Sequence, residues 1–208
     1  MEFSKTKIPT IYGELYFWCF KFDGQEVYVI TNKLKLTNPV NLRLHSACFT
    51  SEIFGSLKCD CKNQLNKFLN QMKSKDSYIL VYFPSHEGRG IGFFNKLKVY
   101  EVQRKLNLDT YEANKFLGFP IDKRDFSLAI PILKHFKIKD IILYTNNPYK
   151  ISFIKKLKEA GFKILKRKEI ISFNGSSYCL NYLLTKIKKG NHLIDERIFK
   201  EKFLNEEI

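Results

Sequence analysis

The chain has 208 residues, 44% of them hydrophobic and 15% aromatic, which is the composition of a globular protein that can bury an ordinary core. No apolar run reaches the roughly 18 residues that a membrane-spanning helix needs, so we expect a soluble protein. The formal net charge is +15, yet the lysines are spread along the whole chain. This charge does not by itself predict a nucleic-acid partner, and a basic cleft for a small polyanionic substrate is equally compatible with it.

Hydrophobic patterns in the first half of the chain predict a hairpin, two further strands and a helix. Residues 12–31 alternate between aromatic and polar side chains and break at Asp23-Gly24, as in a β-hairpin. Residues 40–45 are predicted to form a strand, and the continuous apolar run over 78–83 is typical of a buried strand. Between them, apolar residues recur at helical spacing over 63–73.

The second half of the chain alternates helices with a strand. A glycine-rich turn at 86–92 leads into a predicted helix over 93–106, and residues 111–119 resemble the end of a helix. The further predicted elements are a helix over 126–136, a strand over 140–144, and a helix over 148–160 that has a proline in its first turn and Gly161 at its C-cap. The alternation predicts an α/β fold, a layered mixed β-sheet with flanking helices. We expect one domain over 1–192 and a charged tail over 193–208.

Three of the five cysteines lie close together, in the spacing Cys48-x10-Cys59-x-Cys61. Three thiolates on a tetrahedral zinc ion leave one position for water, which is the pattern of a catalytic site rather than a structural one. The alternative is that these are ordinary buried thiols, as we predict for Cys19 and Cys179. The odd number of cysteines and the lack of a secretory signal sequence favour reduced thiols and a cytoplasmic protein.

Three polar segments can carry chemistry, and each also has an ordinary structural explanation. In Glu87-Gly-Arg89-Gly-Ile-Gly, the glycines would let backbone N–H groups approach a ligand, and Arg89 would hold a phosphate or a base edge. The ordinary explanation is that the segment is only a glycine-rich turn. Asp122-Lys-Arg124-Asp125 places two carboxylates and a guanidinium close together, as a catalytic site would need. Its ordinary explanation is a solvated cap at the N-terminus of a helix. Thr145-Asn-Asn-Pro-Tyr-Lys150 follows a strand and opens a helix, where an anion can bind, or it is an Asn-Pro turn.

Taken together, these segments resemble the motifs of GTP cyclohydrolase II of riboflavin biosynthesis, in family order and with nearly family spacing. The resemblance runs from about Pro9 to near His192. Its motifs are Arg43-Leu-His-Ser-x-Cys48, Gly-Ser-Leu-Lys-Cys59-Asp-Cys61, Glu87-Gly-Arg-Gly-Ile-Gly92, Glu112-Ala-Asn-x-x-Leu-Gly-Phe119, Asp122-x-Arg124-Asp-Phe126 and Thr145-Asn-Asn-Pro148. We see no N-terminal extension for the dihydroxybutanone phosphate synthase often fused to this enzyme, so we expect the stand-alone form.

The resemblance implies hydrolysis of GTP to 2,5-diamino-6-(5-phosphoribosylamino)pyrimidin-4(3H)-one, formate and pyrophosphate. It places zinc on the three clustered cysteines, where the metal would activate the water that attacks C8 of guanine. Tyr100 matches the tyrosine proposed to assist the ring steps, and Asp122 matches the proton acceptor. Arg124 matches the residue proposed as nucleophile at the α-phosphorus. A guanidinium, whose pKa lies above about 12, is a poor nucleophile, so stabilisation of phosphate charge is at least as plausible a role.

The resemblance also implies a set of GTP-binding residues. These are Arg43, Gln64, Glu87, Arg89, Thr110, Thr145 and Lys150. The Glu87 carboxylate suits guanine because it can accept hydrogen bonds from both N1–H and the exocyclic amine, whereas Arg43, Arg89 and Lys150 suit the triphosphate. Mg²⁺ is expected on the triphosphate through substrate oxygens. The expected partners are GTP and a second copy of the chain in a homodimer, with neither nucleic acid nor membrane.

The chain departs from the family pattern close to the first cysteine. Ala47 stands where the family has glutamate, Thr50-Ser-Glu52 replaces the usual Thr-Gly-Asp, and His86 replaces a common glutamine. These changes open a second hypothesis, a paralogue with an altered nucleotide substrate or one that stops at the formamide intermediate. A third hypothesis is a zinc-dependent nucleic-acid-binding module, which requires a fourth metal ligand, and His45 is the only nearby candidate.

Overall fold

The computed structural model describes residues 1–173 and 175–194, so most of the predicted tail lies outside the described residues. These residues form a seven-stranded mixed sheet in the order β1-β2-β3-β5-β4-β6-β7. The strands are β1 Glu2–Thr10, β2 Gly13–Phe22, β3 Gln25–Thr31, β4 Val40–Ser46, β5 Ser77–Phe83, β6 Asp140–Tyr144 and β7 Lys163–Lys168. The predicted α/β fold with a layered mixed sheet is confirmed.

Among the residues that the structure describes, six helices lie between the strands of the second part of the sheet, and a seventh follows β7. They are α1 Phe49–Glu52, α2 Cys61–Gln71, α3 Gly92–Leu106, α4 Thr110–Phe116, α5 Ala129–His135, α6 Pro148–Glu159 and α7 Ser177–Lys188, with a short 3₁₀ segment over Pro84–Gly90. Within the described ranges, none of these helices is both long and apolar enough to cross a bilayer. The predicted helices over 63–73, 93–106 and 148–160 correspond to α2, α3 and α6.

The predicted hairpin is present as β2 and β3, which pair in antiparallel register from Phe22 opposite Gln25. Its two turn residues have positive φ angles, 40° at Asp23 and 81° at Gly24. Two successive positive φ values give the tight turn whose twist matches that of the flanking strands. The short Asp-Gly signal in the sequence was therefore sufficient to locate this turn.

The position of the functional segments follows from the parallel part of the sheet. β4 pairs in parallel with both β5 and β6, and β6 pairs in parallel with β7. Parallel strands end at the same edge, and ligands of open α/β sheets bind outside the carboxyl ends of the strands. The segments that begin at Ala47, Pro84 and Thr145 leave β4, β5 and β6 at this edge and come together there.

The interior strand β4 separates two environments by alternation of its side chains. Val40, Leu42 and Leu44 belong to the main hydrophobic core, whereas Arg43 and His45 are also buried, with 4% and 3% exposure. Successive side chains of a strand point to opposite faces, so one face of β4 packs into the core and the other carries polar groups. Buried polar groups require hydrogen-bonding partners, and Arg43 and His45 find theirs among the residues of the site.

Several elements differ from the sequence-based predictions. The helix predicted over 126–136 begins later, at Ala129, because Pro131 lacks an N–H and is tolerated only in the first turn of a helix. The segment predicted as a helix end is the separate helix α4, capped by Asp109 and Glu112. Strands β1 and β7, and helix α7, had no predicted counterpart. Of the two predicted core cysteines, Cys179 is fully buried and Cys19 only partly.

Candidate active site

A cavity of ≈ 970 Å³ lies at the carboxyl edge of the parallel strands. Its walls come from the end of β4, from the segments that follow β5 and β6, and from helices α2, α3, α4, α6 and α7. All the residues predicted to bind metal or substrate, or to act in catalysis, line it. They are Arg43, Cys48, Cys59, Cys61, Gln64, Glu87, Arg89, Tyr100, Thr110, Asp122, Arg124, Thr145 and Lys150. The fold therefore brings together residues that span more than half of the sequence.

The three predicted metal ligands form one compact cluster. The sulfur atoms of Cys48, Cys59 and Cys61 all lie within 4.8 Å of one another, and Cys48 Sγ is 3.7 Å from Cys59 Sγ. All three thiols are free rather than paired in disulfides. Hydrogen bonds from Cys59 and Cys61, together with the nearby Lys96 ammonium, lower the pKa of the Cys48 thiol far below its ordinary value. The same sharing of protons raises the pKa of Cys59 to about 11.

A buried lysine that the sequence analysis did not single out joins the cysteine cluster to the glycine-rich turn. Lys96 Nζ, on α3, lies 3.3 Å from Cys48 Sγ and 2.6 Å from Glu87 Oε1. The Glu87 carboxylate also accepts from the backbone N–H of Phe49 at 2.6 Å and of Gly88 at 2.9 Å. Glu87 Oε1 accepts two of these hydrogen bonds and Oε2 accepts one. Oε2 is therefore the oxygen that can more readily accept a further hydrogen bond.

The segment that carries the predicted catalytic pair packs on the glycine-rich turn. Arg124 donates from Nε to Asp122 Oδ1 at 2.9 Å and from Nη2 to Oδ2 at 2.5 Å, a two-pronged ion pair. Burial opposes ionisation of Asp122, but the hydrogen bonds and charge of Arg124 lower the pKa of the carboxyl below its ordinary value. A Cβ atom on Gly90 would lie 3.0 Å from Lys123 Cβ, so this close approach favours glycine.

Polar side chains on β4 and its neighbours form a continuous hydrogen-bonded chain. Arg43 donates from Nη2 to Gln64 Oε1 at 2.8 Å and from Nε to His45 Nδ1 at 3.2 Å. The other ring nitrogen of His45 lies 2.8 Å from Glu52 Oε1. Burial lowers the pKa of His45 to about 4, so its ring is neutral near pH 7. Since both ring nitrogens are engaged away from the sulfur cluster, His45 is not placed as a fourth metal ligand.

The predicted anion-binding segment occupies the end of β6. Lys150 is buried and donates to the carbonyl oxygen of Leu44 at 2.5 Å. Burial, reinforced by the charges of Arg43 and Arg124, lowers the pKa of Lys150 well below its ordinary value. Thr145 Oγ1 accepts from the backbone N–H of Asn147 at 3.1 Å. Buried cations in one cavity favour a multiply charged anion, which relieves their mutual repulsion.

The three remaining predicted residues are Tyr100 on α3, Thr110 on α4 and Arg89 in the glycine-rich turn. Tyr100 has the Lys58 ammonium 4.6 Å from its ring centroid, and burial raises the pKa of its hydroxyl above the ordinary value. Thr110 accepts from Gln103 Nε2 at 3.0 Å. Arg89, with φ at 61°, places its guanidinium 4.4 Å from the ring centroid of Tyr111. These contacts orient the side chains along the wall of the cavity.

Sequence reasoning missed several polar residues of this cavity. They are Lys96, Asn114, Tyr182, Lys186 and His192. Lys96 and Lys186 lie among many other lysines, and no local pattern in the sequence distinguishes a buried lysine from an exposed one. Along α7, polar side chains recur at spacings of three and four residues. This polar helix face is the one sequence signal that could have identified Tyr182 and Lys186.

Comparisons with known proteins give a consistent result. The family model described as GTP cyclohydrolase II matches residues 2–169. A GTP cyclohydrolase-2 of Picrophilus torridus is 36% identical over 193 residues, which cover 92% of this chain and 97% of that protein. One from Campylobacter hominis is 40% identical over 190 residues, covering 91% and 93%. The riboflavin biosynthesis protein RibBA of Aquifex aeolicus is 38% identical over 193 residues, covering 91% of this chain and 46% of that protein.

Proposed function

This chain belongs to the GTP cyclohydrolase II family, and from that premise we propose that it hydrolyses GTP to 2,5-diamino-6-(5-phosphoribosylamino)pyrimidin-4(3H)-one, formate and pyrophosphate. The reaction would be the first step of riboflavin biosynthesis. One observation carries the proposal most strongly: three clustered thiols and a set of buried cations face the same cavity. The substrate of this reaction needs both, since a purine ring is opened at one end and a triphosphate is held at the other.

The cysteine cluster fits a zinc ion. Two thiolates at about 2.3 Å from one tetrahedral zinc ion lie roughly 3.8 Å apart. The observed separation of Cys48 and Cys59 sulfurs is 3.7 Å, so the cluster is close to the arrangement that the metal requires. A zinc ion held there would supply a Lewis acid and activate a water molecule. Lys96 donates a hydrogen bond to one of the sulfurs and so helps to orient it.

We assign Arg43, Arg89 and Lys150 to the triphosphate and Glu87 to the guanine base. The cations lie in one cavity, and their repulsion favours a ligand with several negative charges. Glu87 already accepts three hydrogen bonds, so Oε2 is the oxygen that would accept from the N–H groups of the base. Gln64, Thr110 and Thr145 complete the substrate contacts in this proposal, and Mg²⁺ would bind through oxygens of the triphosphate itself.

Asp122 and Arg124 act as a pair in the proposed mechanism. The carboxylate engages two nitrogens of the guanidinium, and a guanidinium is a poor nucleophile. We therefore assign Arg124 to stabilisation of charge on the phosphates during release of pyrophosphate. Asp122, with its lowered pKa, is ionised at neutral pH and available as the proton acceptor. Tyr100, on α3, would assist the ring-opening steps.

A direct assay tests the proposed function. Purified protein loaded with zinc and supplied with GTP and Mg²⁺ is expected to release formate and pyrophosphate and to form the diaminopyrimidine. ATP serves as the matched control, because it carries the same triphosphate but lacks the 2-amino group and the N1–H of guanine that Glu87 would bind. Absence of all three products from GTP contradicts the proposal. Equal turnover of ATP contradicts the assignment of Glu87. Size-exclusion chromatography with light scattering tests the proposed homodimer.

Ala47 favours a second candidate, a paralogue with an altered nucleotide substrate or one that stops at the formamide intermediate. The residue is 4% exposed, lines the cavity and precedes Cys48. A glutamate there would lie close to the metal ligand and could orient substrate, although it would break no bonds itself. Loss of an orienting contact typically costs a few kcal/mol or less, so we expect this chain to work as a weakened enzyme rather than an inactive one.

We predict that Ala47→Glu raises the turnover number or lowers the KM for GTP. The reason is that the rest of the pocket retains the residues that a carboxylate at this position would assist. Ala47→Gln is the matched control, because it has nearly the same shape without the charge, and it should give little gain. If the parent releases no formate from GTP and Ala47→Glu fails to restore it, the altered-substrate hypothesis becomes the better one.

A further inference from the structure

Helix α7 has two faces with different surroundings. Cys179 and Leu183 are fully buried and form a small core with partly buried apolar neighbours. An adjacent face carries polar side chains at the helical spacing i, i+3, i+4, i+7 and i+8, and all of them line the cavity. They are Tyr178, Asn181, Tyr182, Thr185 and Lys186. The helix is therefore a wall of the candidate active site, although it lies beyond the residues matched by the family model.

Contacts near both ends hold this helix over the cavity. Beyond its last turn, Lys189 forms ion pairs with Asp109 and, at 2.8 Å, with Glu112, which together cap helix α4. Farther on, the backbone N–H of Leu193 donates to the carbonyl oxygen of Asn146 at 3.0 Å. The side chain of Asn146 is bonded in turn to the backbone of Ile170, ahead of the helix. The C-terminal segment is thus attached to two other walls of the same cavity.

One side chain of α7 reaches the loop that carries two of the cysteines. Lys186 Nζ lies 3.5 Å from Asp60 Oδ1, and the two side chains are 11% and 0% exposed. The same ammonium is 4.2 Å from the ring centroid of Tyr182. Asp60 stands between Cys59 and Cys61, and its other oxygen accepts from the side-chain amide of Gln64. Lys186 is therefore connected both to the cysteine loop and to a predicted substrate-binding residue.

A balance of buried charge explains why a cation is needed at this point. When three cysteines bind a divalent metal as thiolates, the site with Asp60 carries two more negative charges than positive ones. Lys96, beside Cys48, and the largely shielded Lys186, beside Asp60, contact these groups directly, and the buried Arg43 is close enough to Asp60 and Cys61 to interact with their charges. An uncompensated charge in such surroundings is strongly unfavourable, and removal of one partner of a buried ion pair typically costs more than removal of an exposed one.

We propose that Lys186 is a positioning residue of this active site, which acts through Asp60 on the adjacent metal-binding cysteines and on Gln64. This inference rests on the proposed function for its kinetic consequences, but not for its effect on metal binding. It means that the metal site is completed by a helix near the C-terminal end of the chain. Residues that support metal ligands through a hydrogen bond typically change metal affinity or activity by about 10- to 100-fold.

The test compares Lys186→Met with the matched control Lys188→Met, which removes an exposed lysine from the same helix. Zinc affinity, measured by competition with a chromophoric chelator, is expected to fall about 10-fold or more in Lys186→Met and to stay at the parent value in Lys188→Met. Lys186→Arg keeps the charge and should restore most of the affinity. Kinetic assays should show a higher KM for GTP in Lys186→Met, because Asp60, which accepts a hydrogen bond from Gln64, is then no longer held by Lys186.

A double-mutant cycle with Asp60→Asn distinguishes a specific pair from a general loss of structure. If the two residues act as a unit, the double variant loses no more zinc affinity than the more impaired single variant. Fully additive losses overturn the proposal, and so does an unchanged zinc affinity in Lys186→Met. The chelator measurement needs no turnover, so a parent protein that releases no formate from GTP refutes the proposed function and leaves this test intact.

Discussion

Replacement of any one of Cys48, Cys59 and Cys61 by serine is expected to abolish formate release and to remove the bound zinc. The three sulfurs lie within 4.8 Å of one another, so the loss of one leaves only two thiolates for the metal. A catalytic zinc site typically uses three protein ligands, and two do not hold the ion with comparable affinity. Metal content is measured by atomic absorption and formate by a coupled dehydrogenase assay, with one zinc per chain expected in the parent.

Cys19→Ser is the matched control for this prediction. Cys19 is partly buried on strand β2 and does not line the cavity, so its replacement should leave both zinc content and activity at the parent values. Full activity in protein freed of metal would contradict the proposed role of the cluster. Retention of zinc in all three serine variants would show that the ligands lie elsewhere.

Arg124→Ala is expected to abolish release of pyrophosphate, and of formate as well if phosphate chemistry comes first. The guanidinium is positioned in the cavity by its two bonds to Asp122, and no other cation is held by that carboxylate among the described ion pairs. Removal of one preorganised group that stabilises developing charge typically costs about 10²- to 10³-fold in turnover. Pyrophosphate is followed with a pyrophosphatase-coupled assay and formate as above.

Two further variants define the order of the steps. Cys59→Ser should still release pyrophosphate if the metal serves only the purine ring. Lys123→Ala, at the exposed neighbour of Arg124, is the matched control and should retain both activities. Formate release by Arg124→Ala at the parent rate would reverse the proposed order, because ring opening would then not depend on the phosphate step.

The sequence by itself determined the features that depend on local pattern. The Asp23-Gly24 turn, the buried strands β4, β5 and β6, and the helices with clear apolar periodicity all follow from the spacing of a few neighbouring residues. Edge strands β1 and β7 escaped prediction for the same reason. β1 is almost entirely exposed and β7 reads Lys-Ile-Leu-Lys-Arg-Lys, so neither shows the alternation of a half-buried strand. The motif order was specific enough to identify the family from the sequence alone.

Only the tertiary structure decided which charged residues are buried beside those motifs. Lys186 and Asp60 are 126 positions apart, and Lys96 and Cys48 are 48 apart, so no periodicity links the members of either pair. They meet because parallel strands deliver their following segments to one edge of the sheet and because α7 folds back over that edge. A sequence pattern reports which face of an element is apolar, whereas the partner of a buried charge is set by the packing of distant elements.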